Sequence, residues 1–269
     1  MLFFRLGPFL TDMNKQLLRK PRGIWGDHKS AMPIRSSSHR TISGWDELDS
    51  VCHALSHDLR APLRAIDGSA KLLRTSLEKR LNRDESEKLQ ALIQASQLEA
   101  HLMDSLLLLC RIARMDLRKQ PVNVTKLANT ILGELSGDMP SRQKSFSVSL
   151  NLMAYADARL LEIALRQLLE NAWKFTKNEK ETRITFGAAK LDSGLTFYVH
   201  DNGVGFNPAQ AGKLFGIFER LETAADFAGV GIGLAIVQKV IDRHGGAIRA
   251  WSEVGKGATF WFSLGDGLT

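Results

Sequence analysis

The sequence predicts an α+β chain: a long two-helix hairpin followed by an α/β sandwich. Three observations carry this. Between Trp45 and Arg118 the chain is rich in Leu, Ala, Arg and Glu, with one break at KRLNRD, Lys79–Asp84. Past Pro121 helical segments alternate with short β-like runs. Within that second half, two glycine-bearing stretches, HDNGVGF and GVGIG, interrupt the regular elements where a ligand would sit.

The 269 residues are 44% hydrophobic and 24% charged, a globular composition that suits about two domains. The expected division is a leader over 1–45, a helical hairpin over 46–120 and an α/β domain over 121–269. The leader carries eight Lys and Arg against Asp12 and Asp27, a net +6. The whole chain carries +7, so the rest is nearly neutral. A nucleic-acid footprint would have to lie in the leader, and no nucleic-acid partner is expected for the folded part. Prolines 8, 21 and 33 and the serine run Ser36–Ser38 make the leader a loosely ordered segment.

No stretch reaches the roughly 18 apolar residues of a membrane helix, so no membrane span is expected. The apolar start, MLFFRLGPFL, is broken by Arg5 and Pro8, and it has neither a basic residue ahead of the apolar run nor a clear small-residue cleavage site, as a signal peptide would. Cys52 and Cys110 lie far apart with no CxxC. That argues for reduced thiols and a cytoplasmic setting rather than a disulfide or zinc framework.

In the first helix Leu59, Leu63, Ile66, Ala70, Leu73 and Leu77 recur at gaps of four and three. In the second, Leu89, Ile93, Ser96, Ala100, Met103, Leu107 and Cys110 do the same. These are heptad seams. An isolated pair of helices buries only part of them, whereas two copies complete a four-helix bundle, so a homodimer is expected.

The stretch SHDLRAPLRAI, Ser56–Ile66, puts His57 one residue off the first seam, flanking the core. Asp58 can accept from the imidazole Nδ1–H, which fixes the tautomer and leaves Nε2 as a nucleophile. Pro62 removes a backbone donor and bends the helix just below His57.

After Pro121, helices are expected near 124–135 and 158–174. Strands are expected at FSVSL (146–150), RITFGAA (183–189), TFYVHD (196–201), AIRAWS (247–252) and ATFWFSL (258–264). In LRQLLENAWKFT, Leu165–Thr176, the leucines pack inward while Asn171 and Lys174 share the other side. An amide oxygen there can meet Mg²⁺ and a lysine can meet phosphate. In HDNGVGF, Asp201 stands at a strand end, suited to reading a ligand's amino group, and Gly203 and Gly205 let the backbone approach. In GVGIGLAIVQKVIDRHGG, Gly229, Gly231 and Gly233 lead into a helix whose start is a phosphate seat and whose end has a glycine stop. Its late position in the chain argues against a dinucleotide fingerprint. Between these stretches, KLFGIFERL (213–221) lies in a segment able to close over a bound nucleotide.

Each motif alone is weak, but their order is specific. His-Asp-x-x-x-Pro, Asn-x-x-Lys-Phe, DNGVGF, KLFGIFERL and GVGIGLAIV resemble the sensor histidine kinase family over about Trp45–Leu264, closest to the kinase module of phytochrome-type and multi-sensor bacterial kinases. The resemblance implies a dimerisation and phosphotransfer hairpin, then an ATP-binding sandwich of the gyrase, chaperone and histidine kinase type. It implies His57 as phosphoacceptor, Asp58 as its acid or base, and Asn171 as a Mg²⁺ ligand. It further implies Lys174 on the phosphates, with Phe175 beside it, and Asp201 on the adenine amino group with help from Thr259. Gly203 and Gly205 would shape the base pocket. Gly229, Gly231, Gly233 and Leu234 would form the phosphate loop, with Arg220 near the γ-phosphate. ATP and Mg²⁺ are the implied cofactors, and a response regulator's receiver domain is the implied partner.

Two departures stand out. The family's second metal-binding Asn is replaced by Gln167, which still offers an amide oxygen. The phosphatase Thr or Asn four residues past the histidine is replaced by Ala61, so weak phosphatase activity is expected. Input would come from a separate sensor protein, or the chain is a shortened member. The rival reading is an ATP-binding scaffold, or a regulator-titrating protein, without kinase activity.

Overall fold

The computed structural model describes residues 60–265 except 79, 138, 140, 192–193, 222–226 and 228. The leader, His57 and Asp58 lie outside the described residues.

Helix α1 (60–77) and helix α2 (Arg83–Arg114) form the hairpin. The turn between them matches the expected break. Asn82 starts α2 with a reciprocal capping box: its side chain accepts from the Glu85 N–H, and the Glu85 carboxylate accepts from the Asn82 N–H. Such a cap satisfies two of the donors a helix start leaves open. Three cross-helix contacts fix the pairing. Arg60 meets Asp104 at 2.5 Å, Asp67 meets Gln97 at 3.4 Å, and Arg74 meets Gln90 at 2.7 Å. Each step of seven along α1 matches seven steps back along α2, so the helices are antiparallel in heptad register. The seam is only partly covered. Ala70, Ile93, Ser96 and Leu107 are buried, while Ile66 and Leu73 stay exposed.

The sandwich begins with a two-stranded ribbon, β1 (Lys119–Asn123) against β3 (Met153–Asp157), antiparallel with Pro121 opposite Tyr155. Helix α3 (Val124–Gly137) and strand β2 (Lys144–Val148) lie between them in sequence. Then follow α4 (Ala158–Phe175), β4 (Thr182–Leu191), β5 (Gly194–Asp201), a 3₁₀ turn (Pro208–Lys213), α5 (Gly233–Arg243), β6 (Ile248–Glu253) and β7 (Gly257–Ser263). The main sheet runs β2-β4-β5-β7-β6. Only the β2–β4 pair is parallel.

Strand alternation divides that sheet. Ile184, Phe186, Phe197, Val199, Phe260 and Phe262 face inward and are buried. The rings of Phe186, Phe197 and Phe262 form a row with centroids 6.3 and 5.3 Å apart. Ile131 and Leu132 of α3, Leu161, Leu165 and Leu168 of α4, and Val237, Val240 and Ile241 of α5 close over them. Leu165 is fully buried, and truncating it to Ala should cost about 2–5 kcal/mol.

The five expected strands and the helices at 124–135 and 158–174 are all present. Strands β1 and β3 were not expected. Among the described residues no helix is long and apolar enough to cross a membrane.

Candidate nucleotide site

Helix α4 has two faces. Leu161, Leu165, Leu168 and Ala172 fill the core, and Asp157 caps the start by accepting from the N–H groups of Arg159 and Leu160. The opposite stripe is Gln167, Glu170, Asn171 and Lys174, at helical spacings of three, one and three. All four line a cavity of about 440 Å³.

Asp201 closes the far side of that cavity from the end of β5. It is 2% exposed. Its Oδ1 accepts from Gly203 N–H at 2.9 Å, and the backbone N–H of Ala258 also donates to the carboxylate. Burial outweighs these bonds and pushes its pKa up to about 7. A carboxyl held there by two fixed donors retains lone pairs for a ligand's amino group.

The glycines have specific tasks. Gly205 has φ +63°, and a Cβ there would run into the Glu253 carbonyl oxygen. A Cβ at Gly203 would lie 2.5 Å from the Phe175 carbonyl oxygen. Gly203 therefore lets β5 turn tightly over α4, and it supports Asp201 from outside the cavity lining.

The third wall is the segment before α5. Gly229, Gly231 and Gly233 line the cavity, with Leu234 beside them. Gly229 at φ +144° and Gly231 at φ +73° hold a backbone that side-chain-bearing residues rarely adopt. No side chain caps the first turn of α5, so its N–H groups suit an anion. Lys174 reaches this wall, with Nζ 3.2 Å from where a Cβ on Gly229 would stand. Burial lowers the Lys174 pKa, the nearby Arg220 lowers it further, and Glu170 opposes both. Two cations thus gather where phosphate charge would lie. Arg220 also donates to the Phe227 carbonyl at 2.8 Å, which ties down the wall. Phe175 packs edge-on against Phe227 at 5.1 Å, and Phe206 and Phe260 line the apolar end.

The amide oxygens of Gln167 and Asn171 fit a hard dication. Among the described residues no group of three or more His, Cys, Asp or Glu is arranged to hold a metal alone. A cation at these amides would complete its shell with phosphate oxygens and water, as Mg²⁺ does.

The structure thus brings together Gln167, Asn171, Lys174, Phe175, Asp201, Gly205, Arg220, Gly229, Gly231, Gly233 and Leu234. Thr259 is corrected. It pairs with His200 across β5 and β7, on the sheet face away from the cavity, with Oγ1 3.0 Å from His200 Nδ1. Its neighbour Ala258 faces the cavity and supplies the backbone donor to Asp201. The expected helper was placed one residue too far along a strand, which reverses the face.

Sequence reasoning missed Glu170, Glu219 and a fourth wall on α2, made by His101, Asp104, Ser105 and Leu108. Glu170 was legible from its spacing of three from Gln167. The α2 wall depends on how the hairpin meets the sandwich, which no local pattern encodes.

Residues 156–267 match the family of histidine kinase-, DNA gyrase B- and HSP90-like ATPases. Cyanobacterial phytochrome B of Nostoc sp. is 34% identical over 82% of this chain and 30% of its own length. The methanogenesis regulatory histidine kinase FilI of Methanothrix harundinacea is 32% identical over 81% of this chain and 24% of its own. Full-length ShkA in complex with AMPPNP superposes with a TM-score of 0.60 at 28% identity, covering 80% of this chain and 45% of that one. The cavity and fold therefore define an ATP-binding sandwich of the gyrase and chaperone type. With the helices before it and these relatives, the chain belongs to the sensor histidine kinase family. It spans less than a third of the length of those two curated relatives.

Proposed function

We propose that the chain is a two-component protein-histidine kinase that transfers the γ-phosphoryl group of Mg·ATP to His57 and then to an aspartate of a response regulator. The observation that carries this reading is the cavity itself. The Gln167, Asn171 and Lys174 stripe faces the glycine wall, with buried Asp201 at the other end. That is an adenine acceptor, a phosphate seat and a metal-binding pair in one pocket.

Asp201 accepts the adenine amino group. The first turn of α5, Lys174 and Arg220 hold the phosphate chain. Asn171 and Gln167 hold Mg²⁺, which neutralises charge on the phosphates. In the transfer the bond from γ-phosphorus to the bridging oxygen breaks and a bond to His57 Nε2 forms, with ADP leaving. Asp58 holds the Nδ1–H of the same ring. Positioning and charge neutralisation supply the acceleration. The exposed Ile66 and Leu73 support a homodimer through the hairpin, since a second copy would cover them.

Mass-spectrometric mapping after incubation with Mg·ATP tests the reading, with handling that preserves acid-labile phosphate. The expected product is phosphohistidine at His57, discharged by a cognate receiver domain. Nucleotide binding without any phosphohistidine would favour the scaffold reading instead.

A further inference from the structure

Glu170 has no part in the reading above, yet it lines the same cavity one residue before Asn171. Its Oε2 accepts a hydrogen bond from Gln167 Nε2 at 3.2 Å. The carboxyl oxygen Oε2 is the acceptor in this contact, so the NH₂ end of the Gln167 amide is the end that faces Glu170. This contact decides which way the Gln167 amide points. Nε2 turns toward Glu170 and Oε1 turns away.

Oε1 then lies against Gly233, the first residue of α5. It sits so close that a Cβ on Gly233 would collide with it. The missing side chain at 233 is thus the space that a glutamine oxygen needs. The location also favours an oxygen, because the start of α5 carries the positive end of the helix dipole. Without Glu170 the two ends of the amide have nearly the same shape and either orientation fits. In the wrong one, N–H donors point to where the cation and phosphates would gather.

We propose that Glu170 is a positioning residue for the metal half of the nucleotide site. It locks the Gln167 amide with its oxygen toward α5, so that a glutamine serves as an oxygen donor there and Gly233 leaves room for it. The proposal rests on the Mg·ATP reading of the cavity and deepens it.

The test is binding of a fluorescent ATP analogue by the full chain, titrated with Mg²⁺ and repeated in EDTA. Glu170→Gln keeps the shape and removes the preference, because its own amide can pair with Gln167 in either orientation. It should need about tenfold more Mg²⁺ for half-maximal enhancement of binding, as expected when an outer partner of a metal ligand is lost. Its affinity in EDTA should be no weaker than that of the wild type, since a negative charge beside Lys174 is removed, and this also shows that the variant is folded. Gln167→Ala should show a similar loss, and adding Glu170→Gln to it should change nothing further. An unchanged Mg²⁺ requirement in Glu170→Gln would overturn the proposal. So would an equal shift in the Gln167→Ala background, because Glu170 would then act through its charge alone. Failure of the wild type to bind the analogue at all would overturn the nucleotide reading, and the proposal with it.

Discussion

The backbone N–H of Asp157 donates to His244 Nε2 at 3.0 Å, joining positions 87 residues apart. Asp157 caps the start of α4, and His244 ends α5. The two helices that build the cavity are therefore locked at their far ends. The other ring nitrogen, Nδ1, donates to the Val240 carbonyl at 2.8 Å. Both nitrogens are used by a neutral imidazole, and burial holds the His244 pKa below its ordinary value.

This sets a pH dependence. An unfolded histidine takes a proton near pH 6.5, whereas buried His244 resists it, so folding stability should fall as the pH drops below about 6.5. Burial pushes the Asp157 carboxyl up. The Arg159 side chain and the Arg118 and Leu160 N–H groups outweigh that and bring it down to about 2. Its contribution is present above the unfolded carboxyl value and is lost as the pH falls toward 2. Urea midpoints against pH should slope downward on the acid side. In His244→Gln the slope just below pH 6.5 should flatten, with lower stability at pH 7.5.

Asp201 has the opposite sign. Its folded pKa, about 7, lies above its unfolded value, so the neutral form is favoured and the unliganded domain loses stability as the pH rises through 7. Asp201→Asn should therefore stabilise the unliganded protein at pH 8 by on the order of 2–4 kcal/mol, with little effect at pH 4. The same variant should lose ATP-induced thermal stabilisation, because an amide turns a donor toward the adenine amino group as readily as an acceptor. Thermal melts with and without ATP check both halves.

Lys174 and Arg220 should serve the phosphates and leave the base alone. Lys174→Met is expected to weaken ATP binding by about tenfold or more while leaving adenosine binding within about twofold, since a charge-assisted contact contributes about 1.5–3 kcal/mol. Calorimetric titration with the two ligands measures the difference.

Arg243, at the last turn of α5, donates to the Ile112 carbonyl at 3.2 Å and also to the carbonyls of Ala113 and Met115. These are acceptors that the end of α2 leaves open. Arg243→Ala should uncouple hairpin from sandwich. Scanning calorimetry should then resolve two transitions where the wild type gives one.

Much of the fold was legible because its signals are local. The inward leucines of α4 and the alternating aromatics of β5 and β7 encode their own faces. Strands β1 and β3 gave no such signal. KQPVN contains a proline that reads as a boundary, and MAYAD buries alanines, which are weak strand formers. In the site, the α4 stripe and the glycine segment were readable from spacing. Thr259 was misplaced because, on a strand, one residue is half a turn. The Asp157–His244 and Arg243–α2 contacts were invisible, since each joins distant segments through one side chain.

The most direct test of the account is incubation of the purified chain with Mg²⁺ and γ-labelled ATP, beside His57→Gln and Asn171→Ala. The account predicts acid-labile, base-stable label on the wild type and none on either variant. Label that persists in His57→Gln, or that is unaffected by Asn171→Ala, would contradict it.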